Sequence, residues 1–305
     1  MKAPKTVKRL LCIAVALLFI SMIGASLVQS SGGNITVKEL NIMTDAGWAM
    51  SANLYIPANA TEETPAPAVV TSHGHYNNKE MQDANFVELA RRGFVVLAID
   101  QPNHGNSDNF YDTNVMNDLF VGVYQGALTL SRYNFVDETR IGITGHSAGG
   151  NSCNFAVFED DANGTNVIAS VLLNCSAPKY TDDDGNYVNR YGTRDVGIIS
   201  AQKDEFFYYV NDPDGGAPLH FSPYFMNTDD AKSFLYFGED PAGLDTREAD
   251  TIYHEEIDGV DAVRVIYRPD IIHPWSHFSA RSTAATIDFF TSVCLSEHLP
   301  ALLEQ

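Results

Sequence analysis

The stretch Gly145-His146-Ser147-Ala148-Gly149-Gly150 sets a hydroxyl among small residues, directly after the apolar run Arg140-Ile141-Gly142-Ile143-Thr144. A serine is a poor nucleophile at neutral pH unless a base takes its proton and an acid orients that base. A strand that turns sharply into a helix needs glycines where side chains would collide, and it leaves the serine exposed on a strained backbone. The G-x-S-x-G spacing therefore predicts Ser147 as a nucleophile rather than a small residue in a tight turn. That reading requires an acid, a base and oxyanion donors on elements that converge.

For the acid, Asp204 follows the strand-like run "DVGIISAQK"; its rival Asp240, in "FGEDP", follows a segment that reads as a helix. Glu205 is expected to face solvent. For the base, only His273 and His277, in "DIIHPWSHFS", stand between the last expected strand and the closing helix. His273 lies nearer the strand end and is preferred, with His277 as the alternative base. The oxyanion of a tetrahedral intermediate needs two N–H donors. Ala148, at the start of the expected helix, offers one. His75 offers the other, in the turn Ser72-His73-Gly74-His75-Tyr76-Asn77, where Gly74 lets the backbone approach the substrate.

These residues need a scaffold that delivers them to one edge. "APAVVTSHG", "GFVVLAID", "TRIGITGHS" and "VIASVLLNCSAP" are short apolar runs of the kind that fill strands buried on both faces. Helix-like segments alternate with them: "ANFVELARRG", a stretch from about Asn114 to Tyr133, and "AGGNSCNFAVFED". "DVGIISAQKDEF" and "DAVRVIYRPD" are further strands, "NTDDAKSFLYF" a further helix, and "SARSTAATIDFFTSVCLSEHL" a closing helix capped by Ser279. The chain opens with a strand pair about a turn at Asp45 to Gly47. The pattern predicts an α/β fold with a mostly parallel twisted sheet and helices on both faces. In such a sheet ligands collect at the carboxyl ends of the strands, where Ser147, Asp204 and the two histidines all fall. The polar segments 179–194 and 208–227 are candidates for a lid or substrate wall.

The chain has 305 residues, 45% of them hydrophobic, enough for one large core. Lys and Arg number 19 against 39 Asp and Glu, a net charge of -20 that argues against nucleic-acid partners. Lys2, Lys5, Lys8 and Arg9 precede an uncharged stretch from Leu10 to Val28, long enough to cross a bilayer and oriented to export the residues beyond it. Residues 1–33 are read as a signal peptide or a signal-anchor helix, and residues 34–305 as the catalytic domain, secreted or held at the membrane. Cys153, Cys175 and Cys294 lack metal-site spacing and read as buried thiols, with a Cys153–Cys175 bridge as the alternative. Asp100 and His104 in "AIDQPNHGNSDN" read as a polar loop that braces the serine turn rather than a metal site. "TDDDGNYVNRYGTRD" lacks the end ligands of a calcium loop.

The order Ser147, Asp204, then His273 or His277 resembles the α/β-hydrolase family, from about Ile35 to the C-terminus. "SHGH" is similar to that family's oxyanion turn, "AIDQPNHGNSD" to its D-x-x-G-H-G-x-S loop, and "GHSAGG" to its nucleophile elbow. The double glycine is similar to the esterase, lipase and prolyl-oligopeptidase-like branches, among them dienelactone-hydrolase-like proteins. The segment before the closing helix departs from the pattern, with two histidines and no glycine. The resemblance implies hydrolysis of small-molecule carboxylic esters through an acyl-enzyme, without cofactor or metal. The alternatives are a prolyl-oligopeptidase-like peptidase and a surface protein that keeps the fold without catalysis.

Overall fold

A computed structural model describes residues 4–109, 121–206, 209–210, 219–220 and 222–295. The strands are β1 (Ile35–Met43), β2 (Ala49–Pro57), β3 (Ala66–Ser72), β4 (Val95–Ile99), β5 (Val136–His146), β6 (Ser170–Asn174), β7 (Asp195–Ile199), the short pair β8 (Tyr209–Val210) and β9 (Leu219–His220), β10 (Tyr253–Ile257) and β11 (Val260–Tyr267). The helices are α1 (Lys5–Gln29), α2 (Asp83–Arg91), α3 (Gly122–Leu130), α4 (Ala148–Asn163), α5 (Asp229–Leu235) and α6 (Ala280–Cys294). Nine strands form one sheet in the order β1-β2-β4-β3-β5-β6-β7-β11-β10. From β4 to β11 they run parallel, while β1, β2 and β10 are antiparallel additions at the two sides.

Alternation along the strands builds two cores. Val95, Leu97 and Ile99 of β4 point to one face with Ala68 and Val70 of β3, and α3, α4 and α5 cover them. Val69, Val96 and Ala98 point to the other, where Phe86 and Leu89 of α2 and Phe289 and Phe290 of α6 cover them. A period of two along strands buried on both sides explains why these runs lack polar residues. Gly142 is required here: a Cβ on it would lie 2.5 Å from the Phe290 ring.

The α/β expectation holds for each strand and helix it named, and two differences are instructive. β10 was not expected, because "YHEEI" is a largely exposed edge strand whose charges carry no buried face. α3 begins at Gly122, and the part of its expected span at 110–120 lies outside the described residues. Most of the expected wall at 208–227 also lies outside them. The 179–194 segment is packed down rather than free to close. The Tyr191 hydroxyl donates to Asn154 Oδ1 at 2.6 Å, and buried Arg264 of β11 donates to the Arg194 carbonyl and to Asn189 Oδ1. Cys153, Cys175 and Cys294 are buried free thiols, so the bridge alternative does not form.

No residue of α1 is buried, and among the described residues it is the one helix long and apolar enough to cross a membrane. Its 25 residues span about 37 Å at 1.5 Å each.

Arg264 is the largest fully buried side chain and spreads its guanidinium over three backbone and side-chain oxygens of 189–194. Truncation strands those acceptors, so Arg264→Ala is expected to cost about 3 kcal/mol of stability or more. Urea denaturation of the variant checks this; an unchanged midpoint would show that the segment holds without it.

Candidate active site

β5 runs straight into α4, and Ser147 is the residue between them, with φ 57° and ψ −117°. A positive φ in a non-glycine residue is a strained backbone of the kind that persists only where the surroundings over-determine it. Ser147 N–H donates to the Asn174 carbonyl at the end of β6, and its own carbonyl accepts from Gly150 and Asn151. The elbow closes because three positions carry no side chain. A Cβ on Gly145 would lie 2.3 Å from the Gly149 backbone, one on Gly149 would lie 2.5 Å from the Ser72 carbonyl, and one on Gly150 would lie 2.3 Å from Ser176 Cβ. Gly74, in the turn after β3, would bring a Cβ within 3.3 Å of Ser147 Cβ, so that turn lies directly against the serine.

Neighbouring parallel strands β7 and β11 deliver the next two residues. Beyond them the chains stay paired through a Lys203–Ile272 bridge, which sets Asp204 beside His273. His273 Nδ1 lies 2.8 Å from Asp204 Oδ2, with Asp204 fully buried and His273 nearly so. Burial works against the ionised Asp204 carboxylate. The His273 hydrogen bond and charge, the Phe206 N–H and the Cys175 thiol outweigh it and hold the pKa below the usual carboxylate value. A donated Nδ1–H leaves the His273 Nε2 with the lone pair.

Asp204 therefore reaches His273 and not His277. Asp240 is exposed and accepts the N–H of Ala242 in its own turn. Glu205, expected to face solvent, is half-buried and accepts the His273 backbone N–H at 3.2 Å. His277 is buried with neither ring nitrogen hydrogen-bonded among the described residues. Burial first, and then the nearby His273, push its pKa down to about 4.

His146 went unassigned in the sequence and proves central to the packing. Its ring lies between those of His273 and His277, at 4.7 and 4.6 Å between centroids. His146 Nε2 is 3.0 Å from the His273 carbonyl, an acceptor, so the imidazole donates there and fastens the loop of His273 to the elbow. Burial, then the charges of His277 and His273, lower its pKa to about 3. The signal was present: the position before the serine ends a buried strand, where a polar residue must find a partner. The ligand atoms of His146, Cys175 and His273 lie within 4.8 Å of one another. His273 Nδ1 is engaged by Asp204 and His146 Nε2 by a carbonyl, while His146 Nδ1 is buried with no hydrogen-bond partner among the described residues.

Ala148 and His75 line one recess, and among the described residues neither backbone N–H donates to another protein atom. The His75 turn is held from beneath. His73 donates through Nδ1 to the Gly74 carbonyl and accepts the Gln101 N–H at Nε2. Burial lowers its pKa to about 4, which keeps that tautomer neutral. His104 lies 2.9 Å from the Pro102 carbonyl through Nδ1 and accepts the Tyr76 N–H at Nε2. Gln101 donates to both Ser72 and Ser152. Asp100 accepts from the Lys79 ammonium at 2.9 Å and from the backbone N–H groups of Lys79 and Asn106. The loop is thus a brace, as its composition suggested. A narrow recess of about 10 Å³, room for about one water-sized group, lies between His73, His75, His104, Ala148 and Ser152.

Residues 23–169, which include the turn after β3 and the Ser147 elbow, match the family described as PETase, PET hydrolase-like. No curated protein matches the sequence. Among solved structures, an esterase of Pyrobaculum calidifontis is 15% identical over 93% of both chains, with a TM-score of 0.53. An esterase of Pyrococcus furiosus is 14% identical over 87% of this chain and 96% of that one, with a TM-score of 0.57. Est1E of Butyrivibrio proteoclasticus, solved with ferulic acid, is 18% identical over 83% of this chain and 98% of that one, with a TM-score of 0.54. Its sheet order and the strand-to-helix turn at Ser147 give the chain the α/β-hydrolase fold of these structures.

The three buried histidines with lowered pKa values make stability depend on pH. Their folded values of about 3 to 4 lie below the unfolded value of about 6.5, so acid protonates the unfolded chain first. Stability is then complete above about pH 6.5 and falls towards pH 4, by up to about 1.4 kcal/mol per pH unit for each histidine. Urea midpoints at about pH 5 and pH 7.5 check this, and His277→Phe should flatten the slope. A midpoint independent of pH would mean that these rings are not buried as neutral species.

Proposed function

We propose that the protein hydrolyses carboxylic esters through Ser147, His273 and Asp204. The observation that carries this reading is the buried Asp204–His273 hydrogen bond at the same end of the parallel strands as a serine held in strained backbone. His273 Nε2 takes the proton of Ser147 Oγ as that oxygen attacks the ester carbonyl. The oxyanion is received by the N–H groups of Ala148 and His75, which have no competing acceptor to give up. His273 passes its proton to the leaving alcohol, and the acyl group stays on Ser147. The same histidine then draws a proton from water, whose attack releases the acid and restores the serine. Asp204 remains ionised throughout and stabilises the imidazolium.

His277 is assigned no proton transfer in this scheme, since it lacks an acid partner and its site disfavours the charged form. The recess beside Ala148 has room for little more than a methyl-sized group, which supports a small acyl group such as acetyl. The esterase names of the structural relatives and the PET hydrolase-like family support an ester over an amide. We take residues 1–33 as the export segment, cleaved or retained as an anchor, and residues 34–305 as the catalytic domain outside the cytoplasm.

Hydrolysis of p-nitrophenyl esters of increasing acyl length by the chain from Ser31 onward tests the proposal. Ser147→Ala and His273→Ala are each expected to lower kcat by about 10³-fold or more, and His277→Ala far less. Rates should fall from acetyl and butyryl to decanoyl esters. A faster reaction on an aminoacyl anilide would favour a peptidase. Absence of turnover, with no labelling of Ser147 by a fluorophosphonate, would leave the fold as a binding platform.

A further inference from the structure

The place where α1 joins the sheet fixes which end of the domain can meet a membrane. α1 ends at Gln29 and β1 begins at Ile35, so five residues connect them. The connector is bonded along its length: Gly33 and Ile35 donate to the Ser30 carbonyl, and Ala58 donates to that of Asn34. Arg91, at the end of α2, donates to the Val28 carbonyl of α1 at 2.9 Å. Ile35 pairs with Pro57 at the end of β2. β2 runs antiparallel to β4, with Tyr55 opposite Val96, so this junction lies where the parallel strands start. Ser147, Asp204 and His273 lie where they end.

The two edges are separated by the strands themselves, five to eight residues long in β3, β4, β6, β7 and β11. At about 3.3 Å per residue that is roughly 17 to 26 Å before any loop is added. Five connector residues pulled straight reach at most about 17 Å. Such a tether cannot carry the catalytic edge round onto the surface from which α1 emerges. Charge opposes tipping as well: without Lys2, Lys5, Lys8 and Arg9 of the leader, 15 Lys and Arg face 39 Asp and Glu, which anionic lipid repels. The exposed Tyr76, Phe206, Trp275 and Phe278 all belong to the catalytic edge.

We propose that the chain held by an uncleaved α1 stands with the start of its sheet on the bilayer and its catalytic edge turned to water, so that it acts on esters arriving from the aqueous phase and not on lipids of its own membrane. The inference rests on the ester-hydrolase reading above and on retention of α1. The aromatic side chains of the catalytic edge then meet substrate and not lipid.

The full chain in phosphatidylcholine vesicles tests it, with Cys12→Ser and one fluorophore at Glu62→Cys or at Asp270→Cys. Glu62 is exposed in the loop between β2 and β3, at the junction edge, and Asp270 is exposed just after β11, at the catalytic edge. Energy transfer to a rhodamine headgroup lipid should be several-fold stronger from position 62. The vesicles should hydrolyse added p-nitrophenyl acetate and release no fatty acid from their own phospholipid. Stronger transfer from position 270, or release of fatty acid, would overturn the proposal. So would recovery of the chain from an exporting host as a soluble product lacking α1. If no ester is cleaved while the transfer difference holds, the hydrolase reading and the substrate claim fall, and the orientation is upheld.

Discussion

The left-handed backbone of Ser147 is the constraint on which the site depends. Strain of this kind costs of order 1–3 kcal/mol and survives only if relaxing it would cost more. Here relaxation is blocked on every side. Gly145, Gly149 and Gly150 bring β5, the β3 turn and the β6 loop so close that no Cβ fits between them. Ser147 N–H is also fixed to the end of β6. The helix that begins at Ala148 cannot slide back without pushing backbone into backbone. The serine oxygen therefore stands at a position set by the whole sheet, while the parallel neighbours β7 and β11 set the positions of Asp204 and His273.

The polar groups beneath the site follow the same logic with hydrogen bonds in place of contacts. Burying an imidazole is costly unless its nitrogens are matched, and burying a carboxylate is costlier still. His73 meets that demand as a neutral donor and acceptor, and Asp100 with an ammonium and two backbone N–H groups. Lys79 and Asp100 are both almost fully buried, so their pair adds little net stability against a hydrophobic replacement. Its effect is to fix the geometry of the loop that holds the His75 turn. Gly105 belongs to that arrangement: its φ of 53° and the Asp100 carboxylate 2.3 Å from where its Cβ would sit leave room for no other residue.

Much of this was legible in the sequence, for a physical reason. Strands buried on both faces must be apolar throughout, so "AVVTS", "FVVLAI" and "RIGIT" announce themselves, and the residues just after them are where polar chemistry can emerge. That logic puts Ser147, Asp204 and His273 on one edge from the sequence alone. It favoured His273 over His277 only by nearness to the strand end, since the two lie four residues apart within one short 3-10 turn from His273 to Phe278; pairing with Asp204 is a property of space, not of spacing. It passed over β10, whose only signature is its partner β11. It gave Glu205 to solvent because a lone carboxylate after a strand has no visible partner, whereas the fold supplies the His273 N–H.

His146 shows where sequence reasoning reaches its limit and what the structure adds. As the variable residue of a G-x-S-x-G pattern, it reads as interchangeable. In the folded chain its imidazole is wedged between two others and holds the carbonyl of His273. One side chain thereby ties the end of β5 to the loop of His273, two elements 127 residues apart in sequence. A donor at this position orients His273 through its backbone carbonyl while the two rings pack against each other. Preorganisation of this kind lowers the reorganisation that a reaction must otherwise supply as charge develops. Burial thus favours the neutral rings of His146 and His277, while hydrogen bonds, against burial, hold Asp204 ionised before any substrate arrives.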